Sequence, residues 1–306
     1  MKTKKMSFIA LLVSMMFIPT MFFTSCDNDN LKNNEIEMGN AKINSFFLSL
    51  DKLNENYLPH YSRIDVEKWG SKFLSATVDG CVGFVASAAT TPLGGTIIGT
   101  GASWAYDEYL EGILSRSTTY PQGRAPSSNA NIPYIIYNTE NATIIDSIGY
   151  YHNKMLVDLS NLGKEYSTSE GSVNTNEILK DLLLIAKKYN ISYEFTSEEQ
   201  LNSFSLAINS FIANLEPTNG TENSFLAFNS KISTFGILDN DLYFITQIGN
   251  KINSVIPYIT IDNAIKYGEE LHFLIESSSL NNRYKELLHI LNNISINSKL
   301  YWSMFE

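Results

Sequence analysis

Cysteine is nearly absent: the 306 residues contain only Cys26 and Cys81. Two cysteines cannot build a disulfide framework or a multi-cysteine zinc site. Histidine is almost as scarce, with His60, His152, His272 and His289 the whole complement. None of these forms a His-Glu-x-x-His pair, so no metal or cofactor site is expected from motif. The chain also lacks a Gly-x-Ser-x-Gly elbow. Ser49 and Lys52 satisfy Ser-x-x-Lys without a Lys-Thr-Gly partner, and both read as exposed helix positions. Basic residues are in deficit, 22 against 32 acidic ones, for a net charge of −10. That balance excludes nucleic acid as a partner and argues against charge-driven adhesion to anionic lipid. There is no repeat of fixed period, hence no regular solenoid. Alternating apolar and polar runs are missing too, apart from "IPYIIY" at 132–137 and "KLYWSMF" at 299–305 as short strand suspects.

What is present begins at the N-terminus. Lys2, Lys4 and Lys5 precede an apolar run from Phe8 to Phe23, interrupted by Pro19 and followed by small residues before Cys26. This is the layout of an export signal over residues 1–25. The residues "FTSC" at 23–26 resemble a bacterial lipoprotein box. The resemblance implies that Cys26 carries the diacylglycerol and a further palmitate-type chain, and that the membrane is the first partner. The "DNDN" that follows resembles the export tags of surface lipoproteins in the Bacteroidetes group, which implies an outer-membrane, surface-exposed location. Elsewhere in bacteria an Asp at that place marks retention at the inner membrane, so both leaflets stay open. Cleavage removes three lysines, leaves a more acidic chain, and leaves Cys81 as an isolated thiol expected to be a small buried hydrophobe.

The central feature is "DGCVGFVASAATTPLGGTIIGTGASWAY", residues 79–106, which has no charged side chain after Asp79. Small residues fall four apart, as Ala76 and Gly80, Gly83 and Ser87, then Gly95, Gly99 and Ser103, with Gly94 and Gly101 beside them. On a helix such a row lets another backbone approach closely. It is costly alone, at about 1 kcal/mol per interior glycine relative to alanine. The expectation is an antiparallel helical hairpin folded at Pro92 to Gly95, with the two arms packed on each other. Each arm has roughly 15 apolar or small residues, about 22 Å long, short of the roughly 30 Å of a bilayer core. The stretch resembles the glycine-zipper hairpins of bacteriocin-like and pore-forming proteins, which implies a capacity to enter membranes. "GGTIIGTG" lacks the Gly-Lys-Ser/Thr ending of a phosphate-binding loop.

The remaining pattern is helical, so the expected fold is an all-α bundle. A polar tether covers 26–40, N-terminal helices and the hairpin 41–114, a linker or long loop 115–140, and a C-terminal helical region 141–306. Ile43, Phe46, Phe47, Leu50, Leu53 and Tyr57 define one helix. Ile145, Ile148, His152, Met155, Leu156, Leu159 and Leu162 define a second, which stops near Gly163. Further helices are expected at 175–189 behind a cap at Asn174 or Thr175, after Thr196 and Glu199 at capping-box spacing, and at 222–235, 239–256, 261–277 and 279–294.

His152 lies on an apolar helix face and therefore needs a hydrogen-bond partner inside the fold. Gly149, His152, Asn153 and Leu156 form "G-x-x-HN-x-x-L", which resembles a pattern in uncharacterised exported bacterial proteins carrying a glycine-rich segment upstream. That resemblance implies no particular activity. Asp146, Ser147 and Ile148 resemble an O-glycosylation acceptor at Ser147, which requires Ser147 to be exposed. The acid pairs Glu198–Glu199 and Glu269–Glu270 read as solvated helix charges. The expected role is a non-enzymatic, lipid-anchored envelope protein that binds a protein or glycan partner or serves structurally. The alternatives are a membrane-active protein using the hairpin, and an enzyme with a site near His152.

Overall fold

In the computed structural model the described residues are 28–57, 66–114, 133–137, 143–167, 172–191, 197–215, 222–232 and 239–305. Cys26, the export signal, His60, Thr196 and most of the expected linker lie outside them. The chain divides into two compact units, Met1–Ser45 and Phe46–Glu306. The described part of the first is helical from Asn28 onward, so the polar segment after the tag is a helix, α1 (Asn28–Tyr57).

The described residues are all-α. The helices following α1 are α2 (Val66–Ala89), α3 (Pro92–Leu114), α4 (Ile148–Asn161), α5 (Thr175–Lys188), α6 (Glu198–Ala213), α7 (Glu222–Ile232), α8 (Asp239–Asn253), α9 (Ile261–Ser277) and α10 (Asn282–Trp302). Short 3-10 turns occupy Ile256–Tyr258 and Ser303–Phe305. A single antiparallel bridge joins Ser167 to Val173. Side-chain caps start several helices: Asn174 accepts from Glu177 N, Thr260 from Asn263 N and Asn281 from Tyr284 N. At α6 the capping oxygen belongs to Ser197, which accepts from Gln200 N, one residue later than the Thr196 spacing predicted.

The glycine-rich stretch is a helical hairpin, and its turn sits earlier than expected. Thr90 and Thr91 make the break, Thr90 Oγ1 donating to Ala86 O (2.6 Å) and Thr91 Oγ1 accepting from Gly94 N (3.1 Å). Pro92 takes the first position of α3, where its missing N–H costs nothing. Gly94 and Gly95 are thus helical, and the one glycine with positive φ among the described residues is Gly163, at +60°. Gly94 and Gly95 serve close approach, not turn conformation. A Cβ added at Gly95 would lie 2.5 Å from Gly83 O, and one at Gly99 2.8 Å from Asp79 O.

The arms pack on each other and on a third rod. Gly80 faces α10, where an added Cβ would meet Leu291 Cδ1 at 3.1 Å and overlap Ser295 Oγ. Gly83 is wedged between Ile294 Cδ1 and Gly95 O, while Gly101 opens onto Leu179 of α5. From Leu287 to Trp302 every residue of α10 is buried. That helix runs past the expected end at 294, and "KLYWSMF" is helix and 3-10 turn instead of strand. Tyr301 and Trp302 are adjacent and both buried, which a helix enclosed on all sides explains better than an alternating strand. The other suspect, "IPYIIY", forms no ladder; residues 133–137 are irregular.

Aromatic contacts lock the outer helices. Phe211 of α6 meets Phe225 of α7 edge to face (centroids 5.6 Å), and Phe244 of α8 stacks on Tyr284 of α10 at 4.2 Å. Asn54 ties the end of α1 to both α8 and α9, donating to Lys251 O and accepting from the Tyr267 hydroxyl (each 2.8 Å).

Candidate functional site: a sealed acid–histidine pair

Two polar residues that look misplaced in the sequence resolve each other. Asp79, at the head of the apolar stretch on α2, and His152, on the apolar face of α4, are both fully buried. His152 Nε2 stands 3.1 Å from Asp79 Oδ2. The approach is a charge contact, since Nε2 and Asp79 Oδ1 make no aligned hydrogen bond among the described residues. Ser298 of α10 donates to Asp79 Oδ2. Ser103 of α3 also bears on this carboxyl and accepts from Trp302 Nε1 at 3.0 Å. Four helices therefore converge on one carboxyl group.

Asn153 sets the state of the ring. Its Nδ2 donates to Asn297 O (2.9 Å) and Pro133 O (3.1 Å), which turns Oδ1 toward His152 Nδ1 at 2.9 Å. The proton belongs on Nδ1 in that arrangement, leaving Nε2 to face the carboxyl. Burial pushes the Asp79 carboxyl up from its ordinary value, opposed by His152, Ser103 and Ser298. The cost of burying both partners is offset by their mutual contact and by the Ser298 and Ser103 hydroxyls. Another face of α10 also buries polar side chains. Asn292 donates to Gly268 O (2.8 Å) and Lys299 Nζ to Ile256 O (2.8 Å), with both side chains fully buried.

The chain matches no protein-family model, no curated protein and no solved structure. With the His152 ring wholly enclosed, neither it nor Asp79 meets solvent or a substrate. The buried pair thus joins α2 to α4 as a packing latch.

The other expected positions scatter. Gly80, Gly83, Gly95 and Gly99 line the hairpin and α10 interface, Gly101 meets α5, and Gly94 meets Thr90 and Thr91. Ser103, expected as a packing residue, also hydrogen-bonds in the latch. Asp146 is buried and its carboxylate is spent on Thr143 N and Oγ1 (2.7 and 2.8 Å). Ser147 is half-buried at the start of α4 with no capping bond. Cys81 is fully buried. Glu198 and Glu199 fill the first turn of α6, with Glu198 bridging Lys180 at 3.0 Å. Glu269 and Glu270 line a shallow surface groove of about 480 Å³ together with Ser49, Lys52 and the exposed Phe273. Burial and Glu270 push the Tyr57 hydroxyl up to about 12.

A second histidine contact joins α9 and α10. The His272 and His289 rings lie 4.7 Å apart, and His289 Nε2 is 2.7 Å from Glu276 Oε1. Burial and His272 hold His289 below its ordinary value against Glu276 and Asp146. Among the described residues no three His, Cys, Asp or Glu side chains converge to hold a metal ion. No described helix is long and apolar enough to cross a membrane.

Sequence reasoning missed Asp79, Asn297, Ser298 and Trp302. The signal for Asp79 was available: an acid opening an apolar helix needs a buried partner, and so does a histidine on an apolar face. Asn297 and Ser298 carried no such signal, because Asn and Ser are common throughout the chain.

Proposed function

We propose that this chain is a lipid-anchored cell-envelope protein whose closed helical body acts as a binding or structural module. The anchor is Cys26, read from the export signal and the "FTSC" junction. One observation carries the rest: the apolar glycine rows already have their partners within the chain. Gly99 abuts the backbone of Asp79 and Gly83, Gly80 abuts Ser295, and Gly101 abuts Leu179. A segment satisfied in this way is core, and the latch of Asp79, His152 and Ser298 fastens it to α4 and α10. Work is left to the outer surface, where a protein or glycan partner would dock.

Labelling growing cells with a palmitate analogue, followed by protease shaving of intact cells, tests this role. Wild type should incorporate label and Cys26→Ser should not, and the body should be cleaved from outside if it faces the medium. Label on the Cys26→Ser chain, or its absence from wild type, would refute the anchor.

A further inference from the structure

Residues 133–137 cross α4, α9 and α10 as a strap gripped at every second residue. Pro133 O accepts from Asn153 Nδ2 at 3.1 Å. Ile135 N donates to Asn297 Oδ1 at 2.8 Å, and Ile135 O accepts from Asn297 Nδ2 at 3.2 Å. Tyr137 lies flat on the His272 ring (centroids 5.5 Å, 22°) with its hydroxyl end against Gly268, where an added Cβ would clash with it. Tyr134, between the gripped positions, is half exposed and meets Tyr150 edge to face (centroids 4.8 Å).

That pattern is a main-chain reader. One carboxamide takes both the N–H and the C=O of a single residue, as a neighbouring strand does at a hydrogen-bonded pair. Such contacts hold any extended chain, and a slot for one side chain supplies the selectivity. The slot is shaped for an aromatic ring, because only a glycine at 268 leaves it open. The strap fits it imperfectly. Tyr137 OH, His272 Nδ1 and Asn292 Oδ1 are all buried without a hydrogen bond among the described residues. Unmade bonds of this kind weaken the occupant's hold.

We propose that the groove between α4, α9 and α10 is a peptide-binding site, occupied in cis by Pro133–Tyr137. Its ligand is an extended segment of a partner protein with an aromatic residue two positions after the one gripped by Asn297. The inference rests on the binding role above and names the kind of partner. The cis strap competes as a tethered ligand at an effective concentration on the order of millimolar, so the partner binds when the strap lets go.

Native-state hydrogen exchange on the full chain tests the first half. The Ile135 amide should exchange through a local opening, at least about 10-fold faster than the amides of Ile294 and Ile296 in α10. Exchange of all three at one rate would make the strap a permanent part of the core and overturn the proposal. The second half uses a fluorescent peptide of sequence NIPYIIYN and the full chain carrying Tyr137→Ala, which empties the slot and leaves Asn153, Asn297 and Gly268 in place. Anisotropy should report binding at least about 10-fold tighter than to wild type, and N-methylation of the isoleucine two before the tyrosine should weaken it about 10-fold. No binding to a cooperatively melting Tyr137→Ala chain, or equal binding of parent and methylated peptides, would overturn it. Either result would leave the anchor at Cys26 standing, since palmitate labelling does not involve this groove.

Discussion

Gly99→Ala puts one methyl group into a contact of the hairpin made by backbone atoms alone. The new Cβ would sit 2.8 Å from Asp79 O, 3.0 Å from Gly83 Cα and 3.2 Å from Gly83 N. All three atoms are backbone, so no side chain can rotate away. To reach ordinary contact the arms must part by about half an ångström, which loosens the packing along both helices. Overpacking of this kind costs about 1–3 kcal/mol, and the rigid neighbours place it near the upper end. Better helix propensity returns about 1 kcal/mol, leaving a net loss of about 2 kcal/mol. At about 2–4 °C per kcal/mol for a chain of this size, Tm should fall by about 4–8 °C. Gly80→Ala should cost less, because its nearest clash is the Ser295 hydroxyl, which can rotate. Gly39→Ala is the control: nothing lies within 4 Å of its added Cβ, so stability should hold or rise slightly. Thermal melting followed by circular dichroism ranks the three. A Gly99→Ala chain as stable as wild type would refute the close-packed hairpin.

Three further expectations concern the polar core. Asp79→Ala and His152→Ala should each destabilise by about 3–5 kcal/mol, since each leaves a buried polar partner uncompensated. The double variant should cost less than the sum by at least about 0.5 kcal/mol, and strict additivity in urea titrations would show that the pair is not coupled. The His289 imidazole is held below its ordinary value by burial and His272. As pH falls below about 6.5 the unfolded chain gains a proton that folded His289 refuses, so stability drops with acid until the folded ring titrates. His289→Gln should flatten that slope relative to wild type between about pH 7 and pH 5, whereas an unchanged difference would remove His289 as its source. Asp79, raised in the fold, acts with the opposite sign, losing stability as pH rises through its own range, and it is common to both chains.

Much of the fold was legible because it is written in local signals. The three- and four-residue spacing of apolar side chains gave the helices, and a cap at Asn174 or Thr175 gave the start of α5, where Asn174 is the residue that caps. Small residues four apart gave the hairpin. The third rod was not legible. From Leu287 to Trp302 the sequence alternates Asn, Ser and Lys with apolar residues, which reads as an amphipathic surface helix, yet every position is buried. Burial on all sides depends on what surrounds the helix, and each amide or hydroxyl is made tolerable by a partner far away in sequence. Asn297 binds Ile135, Ser298 binds Asp79, and Lys299 binds Ile256. The same holds for His152: the sequence shows that it needs a partner, and only the fold names Asp79. "IPYIIY" misled for a related reason, since its extended backbone is paired by a side-chain amide and not by a strand.

The central claim is that the glycine hairpin is permanent core, and Cys81, fully buried within it, reports on that directly. In a chain carrying Cys26→Ser, Cys81 is the lone thiol, and its rate of reaction with a maleimide can be followed with and without vesicles containing anionic lipid. Labelling should be no faster than global unfolding and unchanged on adding vesicles. Rapid labelling of the folded chain, or acceleration by vesicles, would mean that the hairpin leaves the bundle, and would contradict that claim.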